Sequence, residues 1–266
     1  VLNTIKGKIW EKVIIPFVSV RGWRPSHATM LTLPFEKMRF GFDEENEIKI
    51  AARKVSTHTM VSFERLATLW NQVRHLDQIG VPGDLVECGV WRGGSSGMMA
   101  LAHLHSGAPR RNIHLFDSFE GLPEPMTGKD GDKAVAYSNN RANGITKSIG
   151  KCVGPLEDNK ELMESIVGYP KSKLIYHQGW FEKTIPALPK EFGPIALLRL
   201  DGDWYESTKI CLDNLYDRVS SGGIVVIDDY GHWEGCKKAV DEFFQERAIK
   251  PYLHYIDYTG RYFFKP

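Results

Sequence analysis

Two apolar runs in this chain end in acids. Ile195-Ala-Leu-Leu-Arg-Leu200 leads into Asp201-Gly-Asp203-Trp-Tyr-Glu206-Ser-Thr208, and Gly222-Gly-Ile-Val-Val-Ile227 leads into Asp228-Asp229-Tyr230. Each run has the length and composition of a buried strand. If the two strands are neighbours in a parallel sheet, their four terminal carboxylates converge, and clustered carboxylates repel unless protons or a cation hold them. Asp201, Asp228 and Asp229 can give three oxygens to a magnesium ion, which takes only a few ligands from protein and leaves positions for water or substrate. No His/Cys ligand set accompanies them, which argues against zinc. A hydroxyl brought to such an ion loses its proton more readily. Asp203, two residues beyond Asp201, is placed to take that proton as general base. The plainer alternative has Asp201 and Asp203 flanking a turn and Asp229 capping the next helix. It accounts for either pair taken alone; the two pairs together favour the ion.

A second constellation is Glu87-Cys88-Gly89-Val90-Trp91-Arg92-Gly93-Gly94-Ser95, a glycine-rich turn at the exit of the strand that begins at Asp84. Open α/β sheets bind ligands at that place. The turn lacks the GK[ST] of a Walker loop and is not a clean GxGxxG. Glu87 would repel a pyrophosphate but suits a ligand with a sulfonium and an amino acid moiety. Asp117 ends the next strand, where a carboxylate either accepts both ribose hydroxyls or caps the following turn. A positively charged nucleoside without phosphate points to S-adenosylmethionine. An acceptor hydroxyl held in line with its methyl–sulfur bond is then the substrate of a methyl transfer. His232 is a candidate second base or substrate contact, although a lone loop histidine is more often neither. Trp204, Tyr205 and Trp233 either wall the acceptor pocket or cap the core.

Positioning these groups requires a particular order of elements. Met60, Phe63, Leu66, Trp70, Val73 and Leu76 recur at helical steps from His58, and Gly80 and Pro82-Gly83 stop that helix. After the first strand and its turn, a helix runs from Met98 to His105, followed by the strand Asn112–Phe116. Residues 117–151 have little periodicity and read as a long binding or lid segment. A helix over Glu157–Val167 and a strand over Lys173–His177 precede the two acidic strands. Between those, Ser207–Val219 is helical, closed by Ser220-Ser-Gly-Gly223. Gly235–Glu246 is the last helix, and Tyr252–Ile256 with Arg261–Lys265 forms an antiparallel hairpin turning at Thr259-Gly260. Helices alternating with short apolar strands specify an α/β, doubly wound, mostly parallel sheet with right-handed crossovers. It carries the C-terminal antiparallel hairpin and an N-terminal helical extension. Residues 1–55 are expected to form that extension, an arm contacting a lid, a substrate or a second subunit, and residues 56–266 the cofactor-binding domain.

Charge narrows the partners. Lys+Arg 34 against Asp+Glu 33 is nearly balanced, so no nucleic-acid or membrane partner is expected. The four cysteines have no metal-ligand spacing and read as reduced packing residues. The apolar run Val13–Val20 is too short to span a bilayer and is interrupted by Pro16, so a soluble cytoplasmic protein is expected.

Five ordered motifs also resemble those of a known family. Glu87–Ser95, Phe116-Asp117-Ser118-Phe119-Glu120-Gly121-Leu122-Pro123, Gly179-Trp180-Phe181, Asp201–Thr208 and Asp228-Asp229-Tyr230 are similar to motifs of the macrocin O-methyltransferase family, which includes the tylosin, mycinamicin and novobiocin sugar O-methyltransferases. The resemblance covers roughly residues 56–250. It implies a Rossmann-like class I methyltransferase, dependent on S-adenosylmethionine and magnesium, that methylates a sugar hydroxyl on a natural product such as an antibiotic. By the same resemblance Asp201, Asp228 and Asp229 match metal ligands and Asp203 the base. Glu87, Cys88, Gly89, Val90, Trp91, Ser95, Asp117, Ser118, Phe119, Gly121, Gln178, Gly179 and Trp180 match cofactor contacts, and Thr59 and Met60 a cofactor-covering segment. The partner expected is a small glycosylated acceptor, and the family's frequent oligomers suit an aromatic arm exchanged between subunits. None of the five motifs falls within residues 1–50 or 126–156, the regions that would shape the acceptor pocket. Three other readings remain: a catechol-like or other vicinal diol acceptor, a nucleotide-binding interaction protein that has lost catalysis, and a nicotinamide dehydrogenase, which Glu87 disfavours.

Overall fold

The computed structural model describes residues 45–266. The Val13–Val20 run and most of the expected extension lie outside them. Residues 45–55 form helix α1 (Glu45–Val55), and its buried residues Ile48, Ala51, Ala52 and Val55 belong to the core. Helix α2 (Phe63–Gln78) begins where Ser62 accepts a hydrogen bond from the Arg65 backbone N–H. It buries Phe63, Leu66, Leu69, Trp70, Val73 and Leu76, close to the apolar stripe expected.

The chain then alternates. Strand β1 (Asp84–Cys88) is followed by α3 (Gly94–Ser106), β2 (Ile113–Asp117), α4 (Gly131–Tyr137) and α5 (Leu156–Lys160), which continues as a π turn to Ile166. Next come β3 (Leu174–Gln178), the short α6 (Phe181–Thr184), β4 (Ile195–Leu200), α7 (Tyr205–Leu215) and β5 (Val219–Ile227). Helix α8 (Glu234–Glu246) and the strands β6 (His254–Tyr255) and β7 (Arg261–Phe264) complete it. The sheet order is β3-β2-β1-β4-β5-β7-β6, with β7 antiparallel to both neighbours and the first five strands parallel. The expected α/β architecture and hairpin are both present. One expected turn is not: Ser220-Ser-Gly-Gly223 belongs to β5, whose register against β4 shifts there, with Gly222 at φ +77°. Such a shift lets the strand start early without moving its acidic end.

Alternate strand residues feed two cores. Leu85, Ile113, Leu115, Leu197, Ile224 and Val226 face α1, α2 and α3, while Val86, Cys88, Phe116, Leu198, Leu200, Val225 and Ile227 face α7 and α8. Burial on both faces is why these strands read as continuous apolar runs. The four cysteines are free thiols, three of them buried. No helix among the described residues is long and apolar enough to cross a membrane.

The segment between β2 and α5 is ordered by distant anchors. Asp130, fully buried, accepts from the backbone N–H of Met126 and of Tyr205, each at 2.6 Å. It thereby caps α7 from outside, because Trp204 at the N-cap offers no side-chain acceptor. The indole N–H of Trp204 in turn donates to the Pro123 carbonyl at 3.0 Å.

Candidate active site

The sheet changes direction of winding between β1 and β4, and the site opens at the C-terminal ends of those strands. Backbone pairing continues past the strand ends. The Asp201 N–H donates to the Cys88 carbonyl at 2.8 Å, and the Asp228 N–H to the Leu200 carbonyl at 2.9 Å. Gly89 permits this approach: at φ +86°, a Cβ there would stand 1.8 Å from the Asp201 carbonyl oxygen. Trp91, Phe119 and Asp203, just beyond β1, β2 and β4, also adopt positive φ (48°, 58° and 57°). Such backbone outliers gather at functional sites.

Among the described residues, the carboxylates of Asp201, Asp203 and Asp229 lie with one oxygen each within 4.8 Å of one another. Asp201 and Asp203 are half-buried and Asp229 is buried. Burial, then repulsion from neighbouring acids, holds all three carboxyls above the usual carboxylate range; for Asp201 the guanidinium of Arg199 opposes this. An all-oxygen donor set of this kind fits a hard divalent cation. Asp203 is further restrained by Trp233, whose indole N–H donates to Oδ1 at 2.5 Å.

Asp228 stands apart from that group. Its Oδ1 accepts from Arg199 Nη2 at 2.5 Å, and its Oδ2 is paired with Nη1 of Arg65 from α2. Asp228 lines the same cavity, but two guanidinium groups hold its oxygens. Arg199 Nη1 also bonds Asp201 Oδ2 at 2.8 Å and Glu87 Oε1 at 2.5 Å. Glu87 is buried beneath the glycine turn, with its other oxygen on the Ser96 hydroxyl. Burial pushes its carboxyl up to about 7 against the pull of Arg199. Its carboxylate is therefore directed at Arg199 and α3, away from the cavity.

Asp117 organises the turn. Its Oδ2 accepts the backbone N–H groups of Val90 (2.7 Å) and Trp91 (3.1 Å), and its Oδ1 that of Phe119 (2.7 Å). Two carboxylate oxygens have about four acceptor directions, of which these bonds use three, and Asp117 also lines the cavity.

That cavity measures about 680 Å³, within the range of small-molecule sites. Of the expected cofactor contacts, Met60, Gly89, Trp91, Asp117, Ser118, Gly121 and Trp180 line it. Cys88, Val90, Ser95, Phe119 and Thr59 are buried behind the wall, Gly179 supports it through an N–H to the Asp117 carbonyl at 2.9 Å, and Gln178 is exposed. His232 reaches the cavity with its Nδ1 2.8 Å from the Tyr258 hydroxyl. Trp233 lies in the wall, and Trp204 packs on it at 4.9 Å between ring centroids.

Sequence reasoning missed Arg199, Arg65, Tyr137, Cys152 and Tyr258. Only Arg199 carried a local signal, a lone guanidinium in the middle of an apolar run. The others come from α2, the 117–151 segment and its border, and the hairpin turn, which meet the acids only in three dimensions.

The profile of the macrocin-O-methyltransferase (TylF) family matches residues 27–265. The 8-demethyl-8-(2,3-dimethoxy-alpha-L-rhamnosyl)-tetracenomycin-C 4'-O-methyltransferase of Streptomyces olivaceus is 39% identical over 76% of this chain and 74% of its own length. The demethyldecarbamoylnovobiocin O-methyltransferase of Streptomyces niveus is 37% identical over 78% and 75%. Among solved structures, the O-methyltransferase NovP superposes with a TM-score of 0.68 at 29% identity, covering 88% of this chain and 99% of that one. The chain belongs to the macrocin-O-methyltransferase family, and its chemistry is methyl transfer to oxygen.

Proposed function

We propose that this enzyme uses S-adenosylmethionine and a magnesium ion to methylate a hydroxyl of a sugar on a natural product. The observation that carries the reading is the meeting of Asp201, Asp203 and Asp229 within 4.8 Å, on the wall of the cavity that also holds the glycine turn. Gly89, Trp91, Asp117, Ser118 and Trp180 form the part of the wall suited to the nucleoside. Leu122, Pro123, Tyr137, Trp233 and Tyr258 lie elsewhere on the wall, where flat aromatic faces can pack on a pyranose. A rhamnosyl group appears in the name of the Streptomyces olivaceus relative, which favours a sugar over a catechol.

When bound, the cation would supply polarisation of the acceptor hydroxyl and S-adenosylmethionine the methyl group. Asp201 and Asp229 would hold the cation. Asp228 can add an oxygen by giving up one guanidinium, since both of its oxygens are engaged. Asp203 would accept the proton of the acceptor hydroxyl on Oδ2, the oxygen that Trp233 leaves free, as that hydroxyl oxygen attacks. The aromatic wall fixes the direction of that attack, where positioning supplies much of the rate.

Labelled methyl transfer tests this with one panel of glycosides beside one of catechols, each with and without EDTA. Label on the glycosides, lost in EDTA and restored by magnesium, is the expected result. Transfer confined to catechols, or full activity in EDTA, would overturn the sugar or the metal respectively.

A further inference from the structure

Arg199 lies on β4, opposite Glu87 of β1, and is about 1% exposed. A buried guanidinium is costly unless its donors are satisfied, and here three carboxylates from three strand ends satisfy it: Glu87, Asp201 and Asp228. The network has anchors at both ends. Ser96 of α3 fixes Glu87, and Arg65 of α2 fixes Asp228 while pairing with Asp257 of the hairpin turn at 3.1 Å. Arg199 is not part of the cavity wall, so it cannot act by touching a ligand.

We infer that Arg199 is a positioning residue of the methyl transfer. Its planar fork fixes Asp201 against Glu87 and Asp228, and through Asp201 the place where a divalent cation would be held. This rests on the proposed reading of the site. The role depends on the shape of the guanidinium as well as its charge. One nitrogen bridges Glu87 and Asp201 while the other holds Asp228, an arrangement a single ammonium cannot reproduce. Groups that orient metal ligands without touching the metal are each worth about 10- to 100-fold in metal affinity or activity.

The test uses the full chain, with Mn2+ as the ion probe and S-adenosylhomocysteine as the cofactor probe, in wild type, Arg199→Lys and Glu87→Gln. Calorimetric titration of Arg199→Lys should give at least about 10-fold weaker Mn2+ binding and a kcat lower by a similar factor or more. The dissociation constant for S-adenosylhomocysteine and the acceptor KM should stay within about threefold, a split that general unfolding would not produce. If Arg199→Lys has no cooperative melt, Glu87→Gln carries the test. It keeps the guanidinium and frees one anchor, and its Mn2+ affinity should fall by about threefold or more. Wild-type Mn2+ affinity in the folded variant, or equal losses of Mn2+ and S-adenosylhomocysteine binding, would overturn the inference. Wild-type protein that binds no Mn2+ would instead sink the reading of the site, and the inference with it.

Discussion

The indole N–H of Trp233 donates to Oδ1 of Asp203 across 2.5 Å, from the N-cap residue of α8 to the turn that leaves β4. Asp203 sits at φ +57° with its own N–H directed at Asp229 Oδ2, 3.3 Å away. The base proposed for the reaction is therefore aimed by two groups of the β5–α8 connection. Replacing Trp233 by Phe keeps the ring and removes the donor. Losing a hydrogen bond to a charged group costs about 1.5–3 kcal/mol, so kcat should fall about 10- to 100-fold. Steady-state kinetics checks this, and an unchanged kcat with a raised acceptor KM would assign Trp233 to the wall alone.

The acids should separate by role. Asp201→Asn and Asp229→Asn are expected to weaken magnesium binding at least about 10-fold, and Asp203→Asn to cut kcat while sparing that affinity. Asp228→Asn decides whether Asp228 exchanges a guanidinium for the ion. Weaker magnesium binding by titration would show that Asp228 serves the ion, directly or through Arg199, and unchanged affinity would leave it as a partner of Arg65 and Arg199 alone.

Gly94 tests how the cofactor side is built. A Cβ there would lie 2.4 Å from the His58 carbonyl oxygen and 2.5 Å from Thr59 Cβ, so Gly94→Ala must displace the segment that carries Met60 and Val61 onto the cavity wall. Overpacking of this kind costs about 1–3 kcal/mol. A lower melting temperature together with weaker S-adenosylhomocysteine binding is expected. Wild-type values for both would mean that this segment is not part of the cofactor site.

His177 should make the fold acid-sensitive. It stacks on Phe116 with ring centroids 3.9 Å apart and lies 3.0 Å from His114 Nδ1. Burial first, then His114, lowers its pKa from 6.5 to about 4. The unfolded chain then binds the proton more readily, so stability present above pH 6.5 is lost as pH falls toward about 4. Urea midpoints of His177→Phe should decline less steeply than wild type across that window; parallel declines would contradict the assignment.

The strands were legible because burial on both faces leaves uninterrupted apolar runs, and the acids were legible because they end those runs. What the acids do was harder to read. Asp228 and Asp229 are adjacent, yet one turns to two arginines and the other to Asp201 and Asp203. Besides Asp201, the partners of Arg199 lie 112 and 29 residues away, at Glu87 and Asp228, and only the parallel register of β1, β4 and β5 brings them to it. Residues 117–151 read as a loop because Asp130 supplies order through bonds to Met126 and Tyr205 that leave no periodic trace. Glu87 occupied the expected place at the strand exit, while its partner Arg199, 112 residues away, could not be read from the local sequence.

The proposed function stands on one cation shared by the ends of β4 and β5 beside the nucleoside pocket. Anomalous diffraction from crystals grown with Mn2+ and S-adenosylhomocysteine tests it most directly. One anomalous peak is expected at the carboxylates of Asp201 and Asp229, on the same cavity as the bound nucleoside. A bound nucleoside with no peak at those two residues, or a peak elsewhere in the molecule, would contradict it.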